Sequence, residues 1–204
     1  MFREMRRKRQ LLSESECRRV LERGTSGVLA VSGDMGYPYA VPLSYVFDGE
    51  KIYFHGAKNG HKVDAVRRDA KASFCVIDQD QVIPEEYTTY FRSVIAFGTV
   101  RILEDEKEKW AAAEKLALRY HPTDTKENRE NAIEREFPPL CMMEFTIEHM
   151  TGKEAVELVR RREAGEKEAK TAETEMAANA AETAGEARKT PGEAINAQET
   201  AGEA

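Results

Sequence analysis

The stretch Tyr39-Ala40-Val41-Pro42-Leu43-Ser44-Tyr45-Val46-Phe47-Asp48-Gly49-Glu50-Lys51-Ile52-Tyr53-Phe54-His55 decides the fold. Successive side chains of a strand point to opposite sides. Tyr39, Val41, Leu43, Tyr45 and Phe47 therefore share one face, and Ala40, Pro42, Ser44 and Val46 share the other. Asp48-Gly49 is a hairpin signal, and Lys51 to His55 is the return strand. Pro42 is the anomaly in this pattern. It has no N–H to give to a ladder, which confines it to an edge, a bulge, or a place where something other than a strand lies alongside. A flat ligand hydrogen-bonded to neighbouring backbone groups suits Pro42, and so does an ordinary edge strand.

The same reading extends in both directions. Ser13 followed by Glu16 is a capping box, which opens a helix through Arg23 with Cys17, Val20 and Leu21 inward and Gly24 as the stop. Gly27 to Ser32 reads as a strand and Gly33-Asp34-Met35-Gly36 as its turn. Beyond the hairpin, Gly56 to Gly60 is a loop, and Val63, Ala65 and Val66 mark a brief helix ending at Arg67-Arg68. Ala72 to Ile77, Tyr90 to Leu103 and Leu140 to Ile147 are further strands, with Gly98 allowing a bend or bulge. Cys75, in an apolar strand pattern, reads as a small core residue. Trp110, Ala113, Leu116, Ala117 and Tyr120 share a helical face that Pro122 closes, and residues 123–137 read as a short helix or a loop. Six strands with few helices, and no strand–helix alternation, predict a mainly β fold. The fold class is an antiparallel β-barrel with peripheral helices rather than a doubly wound sheet.

Charge divides the chain. Of its 204 residues, 31 are Lys or Arg and 37 are Asp or Glu, for a net charge of −6. From Glu163 onward there are ten Glu against Lys167, Lys170, Arg188 and Lys189, so the tail carries the whole excess and the first 162 residues are neutral. The last aromatic residue is Phe145, and after Val159 only Met176 and Ile195 are large and apolar. That is too little to offset ordering entropy. The expected organisation is a solvated basic leader over 1–12, a folded domain over 13–159, and an acidic low-complexity tail over 160–204. The tail is expected to be disordered, with at most a marginal helix from its Ala and Glu.

No apolar run reaches the roughly 20 residues that span a bilayer, and no signal-peptide core follows the basic leader. Cys17, Cys75 and Cys141 are scattered and odd in number, which fits free thiols in a reducing cytoplasm. A neutral domain argues against a nucleic-acid partner. The four histidines have no metal-ligand spacing.

Chemistry concentrates in Tyr53-Phe54-His55-Gly56-Ala57-Lys58-Asn59-Gly60-His61-Lys62. A strand end passes through a glycine-bounded loop into a helix start, with Asn59 available as cap. Helix N-termini offer free N–H groups and partial positive charge, which favour phosphate. His61 and Lys62 there oppose the helix dipole unless an anion joins them. A solvated turn with surface charges accounts for the same residues without a ligand.

Taken together, Tyr37-Pro38-Tyr39-Ala40-Val41-Pro42-Leu43-Ser44-Tyr45, Tyr53-Phe54-His55-Gly56-Ala57, Gly60-His61-Lys62, Tyr90-Phe91-Arg92-Ser93-Val94-Ile95-Ala96-Phe97-Gly98 and Thr151-Gly152-Lys153-Glu154 resemble the pyridoxamine 5′-phosphate oxidase-related flavoproteins. The resemblance is to their nitroimidazole-resistance (Nim-like) branch and covers about residues 5–158. It implies an FMN-binding split barrel of Greek-key type, working as a homodimer with flavin at the subunit interface and exchanging electrons with a small-molecule donor or acceptor. It implies that His61 and Lys62 hold the FMN phosphate and that Val41, Pro42, Leu43 and Ser44 run beside the isoalloxazine edge. It also implies that His55, Gly56 and Ala57 line the flavin, that Ser93 faces the ring from a neighbouring strand, and that His55 serves as the substrate-side catalytic residue. His61 stands where the oxidase branch commonly has Arg, and that branch's C-terminal substrate-binding segment is replaced by the acidic tail. The implied activity is therefore an FMN-dependent oxidoreductase of the nitroimidazole-reductase type. The alternative is a non-catalytic binder of flavin, haem or deazaflavin, with His55 or His61 as a haem ligand.

Overall fold

A computed structural model describes residues 1–187 of the chain. They divide into two compact units that meet at Val159 and Arg160. The first unit is built on six antiparallel strands: β1 (Ser26–Ser32), β2 (Pro38–Phe47), β3 (Lys51–Ala57), β4 (Lys71–Ile83), β5 (Thr88–Ile102) and β6 (Leu140–Glu154). They close into a barrel in the order β1-β2-β3-β6-β5-β4. Because β4 returns to lie beside β1, the first four strands have the spatial order 4-1-2-3 of a Greek key. The fold class is thus an antiparallel barrel with peripheral helices.

Alternation fills the barrel. Leu29, Val31, Tyr45, Ile52, Phe54, Phe74, Val76, Val94, Ala96, Met143 and Phe145 all point inward and are buried. Phe74 anchors this core, with its ring 5.1 Å from Tyr45 and 4.9 Å from Phe54. Helix α1 (Glu14–Arg23) starts on the Ser13/Glu16 capping box and seats Cys17, Val20 and Leu21 on the barrel. Gly24 ends it in extended backbone rather than with a positive φ, and a Cβ there would lie 2.4 Å from the Tyr45 hydroxyl. Glycine is needed at that position for close approach. Helix α2 (His61–Arg68) inserts Val63, Ala65 and Val66 into the same core. Helices α3 (Glu106–Tyr120) and α4 (Lys126–Glu136) pack outside β3 and β6, where Val46, Tyr53 and Met142 meet Ala112, Leu116 and Ile133.

Several local expectations need correction. β4 runs six residues past Ile77 and β6 seven past Ile147, because bulges carry the ladders through polar segments. Asp78 sits in the β4 bulge, where Arg23 and Arg92 bond to it, and Arg92 Nη2 lies 3.0 Å from the buried Glu154. Asn59 does not cap α2; Gly60, at φ 128°, occupies that position without a side-chain hydrogen bond. Cys75 lies between the inward Phe74 and Val76, so it faces out and is half-buried. The buried face of α3 is Lys109, Ala112, Ala113 and Leu116, while Trp110 packs at the margin against Phe137. The leader is not wholly solvated. Leu12 is buried, its N–H donates to the Gly152 carbonyl at 3.0 Å, and the Phe2 ring stacks on His149 at 4.5 Å.

Helix α5 (Val156–Ala187) passes from the first unit into the second, whose described part is helical from Arg160. The expectation for 188–204 lies outside the described residues. No helix among the described residues is long and apolar enough to cross a membrane.

Candidate functional site

The barrel is closed unevenly. On one side β2 pairs with the whole of β1, from Pro38↔Ser32 to Ser44↔Ser26. On the other it pairs with β3 only from Tyr45↔Phe54 to Phe47↔Ile52. Residues 38–44 therefore present an edge with no strand beside it, and Val41, Pro42, Leu43 and Ser44 lie on that edge. His55, Gly56 and Ala57 likewise pair with Met142, Cys141 and Leu140 of β6 but with nothing on β2. The chain has split its barrel between β2 and β3, and Pro42, which lacks a donor, stands where no ladder asks for one.

Helix α2 begins beside this split. A Cβ added to Gly56 would lie 2.6 Å from Lys62 Nζ and 2.8 Å from its Cε, so the lysine lies flat in a space that only glycine leaves open. His61 stacks on the ring of Tyr39, with centroids 4.0 Å apart and planes at 21°. Burial pushes the Cys141 thiol up, while Arg67 and Lys62 pull it the other way, and Cys141 is the register partner of Gly56. The structure thus gathers Gly56, His61, Lys62 and the β2 edge into one locality. Tyr39 is a member that sequence reasoning counted only as a strand residue; its pairing with His61 is a nonlocal contact that no local pattern reports.

Two other site residues lie elsewhere. His55 has opposite parity to the inward Phe54, so it projects outward beneath α3 and α4. There it borders a cavity of about 340 Å³ walled by Leu116, Ala117, Ile133 and Met142, near the lower end of small-molecule sites. Arg129 also lines it. His55 thus stands at the shared margin of the split and this cavity. Ser93 points outward from β5 between the register partners Ile77 and Lys153. In a six-strand ring of this order, β5 stands across the barrel from β2, so one chain does not bring Ser93 to the split.

The outer sheet face carries an apolar row. Pro42, Val28, Cys75 and Ile95 are successive register partners across β2, β1, β4 and β5. Val28 and Ile95 are both exposed.

Comparison with known proteins places this geometry. No curated protein matches the chain by sequence. Among solved structures, it resembles the conserved hypothetical protein Rv2991 of Mycobacterium tuberculosis at TM-score 0.64 and 22% identity, over 74% of this chain and 90% of that one. It resembles a candidate 5-nitroimidazole antibiotic resistance protein of Bacteroides thetaiotaomicron VPI-5482 at TM-score 0.59 and 17% identity, over 70% and 85% of the two chains. A FAD and haem binding protein of Mycobacterium smegmatis follows at TM-score 0.57 and 19% identity, over 72% and 73%. At such identities the likeness is one of fold. Sequence decides the family: residues 13–154, from the cap of α1 to the last residue of β6, match the model described as pyridoxamine 5′-phosphate oxidase, and the chain belongs to that family.

Proposed function

We propose that this protein is a flavoprotein that holds FMN in the split between β2 and β3 and works as an oxidoreductase of the nitroimidazole-reductase type. One observation carries the reading: the unpaired edges of β2 and β3 meet a helix start where Lys62 lies over Gly56. A planar ring system with polar edges suits backbone groups freed from a ladder, and a terminal phosphate suits His61, Lys62 and the N–H groups of α2. Lys62 meets the phosphate as a point charge, whereas His61 can also present its ring edge while Tyr39 fixes its plane. Flavin, when bound, supplies the electron transfer, and the chain supplies position and field. His55, at the margin between the split and the 340 Å³ cavity, is the residue we assign to the substrate side.

The working form in this reading is a homodimer. The apolar row from Pro42 to Ile95 begins at the split, and pairing two copies along it would bring a partner's β5, with its Ser93, to the flavin edge. Ile95→Arg places a charge in that row; sedimentation should then report a monomer that binds FMN more weakly, and an unchanged dimer would remove this interface.

The direct test is the visible spectrum of protein purified without added cofactor and then titrated with FMN. Flavin bands that bleach with NAD(P)H and return with a nitroaromatic acceptor support the proposal. Colourless protein that gains no flavin absorbance contradicts it. A Soret band would instead favour a haem binder.

A further inference from the structure

What faces His61 across the mouth of the split is the turn between β1 and β2. Asp34 Oδ2 lies 3.5 Å from His61 Nε2, and Asp34 Oδ1 lies 3.2 Å from Arg68 Nη1. One carboxylate thus sits against two basic side chains, on the first and last residues of α2. The His61 ring is held in plane by Tyr39. Arg68 is steadied by a 3.0 Å hydrogen bond from Nη2 to the Ser32 carbonyl. Asp34 itself is loosely seated. Its side chain is 67% exposed, and the turn places Met35 at φ 55° and Gly36 at φ 81°. Charge, rather than packing, joins this turn to the helix.

We propose that Asp34 is a specificity residue of the flavin site, a built-in counter-anion that competes with the ligand's phosphate for His61. The proposal rests on the phosphate reading given above. A phosphate monoester carries about −1.5 to −2 at neutral pH, and a second anion on the same imidazole repels it. Phosphate binding therefore requires the Asp34 carboxylate to turn away, which its exposure and its place in the turn permit. A ligand without phosphate leaves the Asp34–His61 pair untouched. The Asp34 carboxylate thus lowers affinity for phosphate-bearing ligands selectively, and Arg68 holds it in the competing position.

The experiment is a fluorescence titration of the full-length apoprotein with FMN and with riboflavin. One unit charge at about 4 Å in water is worth about a factor of five. Asp34→Asn should therefore tighten FMN about five- to twenty-fold and leave riboflavin unchanged. Asp34→Glu, which keeps the charge, should retain the original preference, and Asp34→Asn should lose its effect when His61→Ala is also present. Equal shifts for both ligands, or no shift in the FMN-to-riboflavin preference, would overturn the proposal. Suppose the preference falls with His61→Ala plus Lys62→Ala but ignores Asp34→Asn; then this inference fails alone. If the preference ignores His61 and Lys62 as well, the phosphate reading fails and takes the proposal with it.

Discussion

The wall made by β4, β5 and β6 and the opposite side made by β2 and β3 are built from the same kind of sequence and end differently. β4 and β5 stay paired from Lys71↔Thr99 to Ile83↔Thr88, crossing a bulge at Asp78 without parting. β2 and β3 share a hairpin yet part after Tyr45↔Phe54. Proximity in sequence does not explain this, since the hairpin is the more local pairing. Side chains do. On the continuous wall, ionic groups tie the strands together at the β4 bulge, where Arg92 joins Asp78 to Glu154. On the split side, α2 wedges Val63 and Val66 into the barrel while a proline and a glycine, Pro42 and Gly56, leave room at the edges. The closed wall carries stability; the split is where we propose that flavin binds.

The largest test of that division is Gly98→Val. A Cβ at Gly98 would lie 1.9 Å from the Thr146 carbonyl oxygen, opposite the β6 bulge where the register steps from Phe97↔His149 to Gly98↔Ile147. Backbone at that distance has no room to yield. The expected loss exceeds about 3 kcal/mol in urea unfolding, and a loss below about 1 kcal/mol would show that the wall is more compliant than described.

Glu144→Gln comes next. Burial raises the Glu144 carboxyl, but hydrogen bonds from Arg101 at 2.8 Å and Lys51 at 3.0 Å outweigh it and hold it below the usual carboxylate range. A carboxyl lowered in the folded state contributes stability above its unfolded pKa and loses it as pH falls through the folded value. The substitution should cost about 2 kcal/mol at neutral pH, with the difference from wild type shrinking as the medium is acidified below pH 4. A pH-independent difference would assign the loss to packing.

The smallest stability effect belongs to the split. At Gly56→Ala the added Cβ meets only the far end of Lys62, 2.6 Å from Nζ, and a lysine can move. Stability should change by less than about 1 kcal/mol, while FMN affinity should fall several-fold because Lys62 is displaced. A stability loss matching that of Gly98→Val would erase the contrast between the two sides.

Much of this was legible in the chain. The alternation from Tyr39 to Phe47, the Asp48-Gly49 turn, the Ser13/Glu16 box and the Gly98 irregularity are local patterns, and local patterns survive folding. The ends of β4 and β6 were not legible, because Gln79-Asp80-Gln81 and His149-Met150-Thr151-Gly152 lack alternation and are strands only through β5 beside them. The cap of α2 went to Gly60 rather than Asn59 because the chain turns there at φ 128°, a conformation favouring glycine. At the site, Gly56, His61 and Lys62 could be named from sequence. The outward direction of His55 follows from strand parity with Phe54, but its cavity depends on α3 and α4. Asp34 and Tyr39 reach His61 from more than twenty residues away, and no spacing rule connects them.

The most direct measurement of the central claim is FMN affinity in wild type against His61→Ala plus Lys62→Ala, read by flavin fluorescence with riboflavin as control. Charge-assisted contacts of this kind are worth roughly 1.5–3 kcal/mol each. FMN binding should weaken at least about a hundredfold and riboflavin binding should hardly change. Equal FMN affinity in the two proteins would contradict the placement of the phosphate at the start of α2, and with it the split as the flavin site.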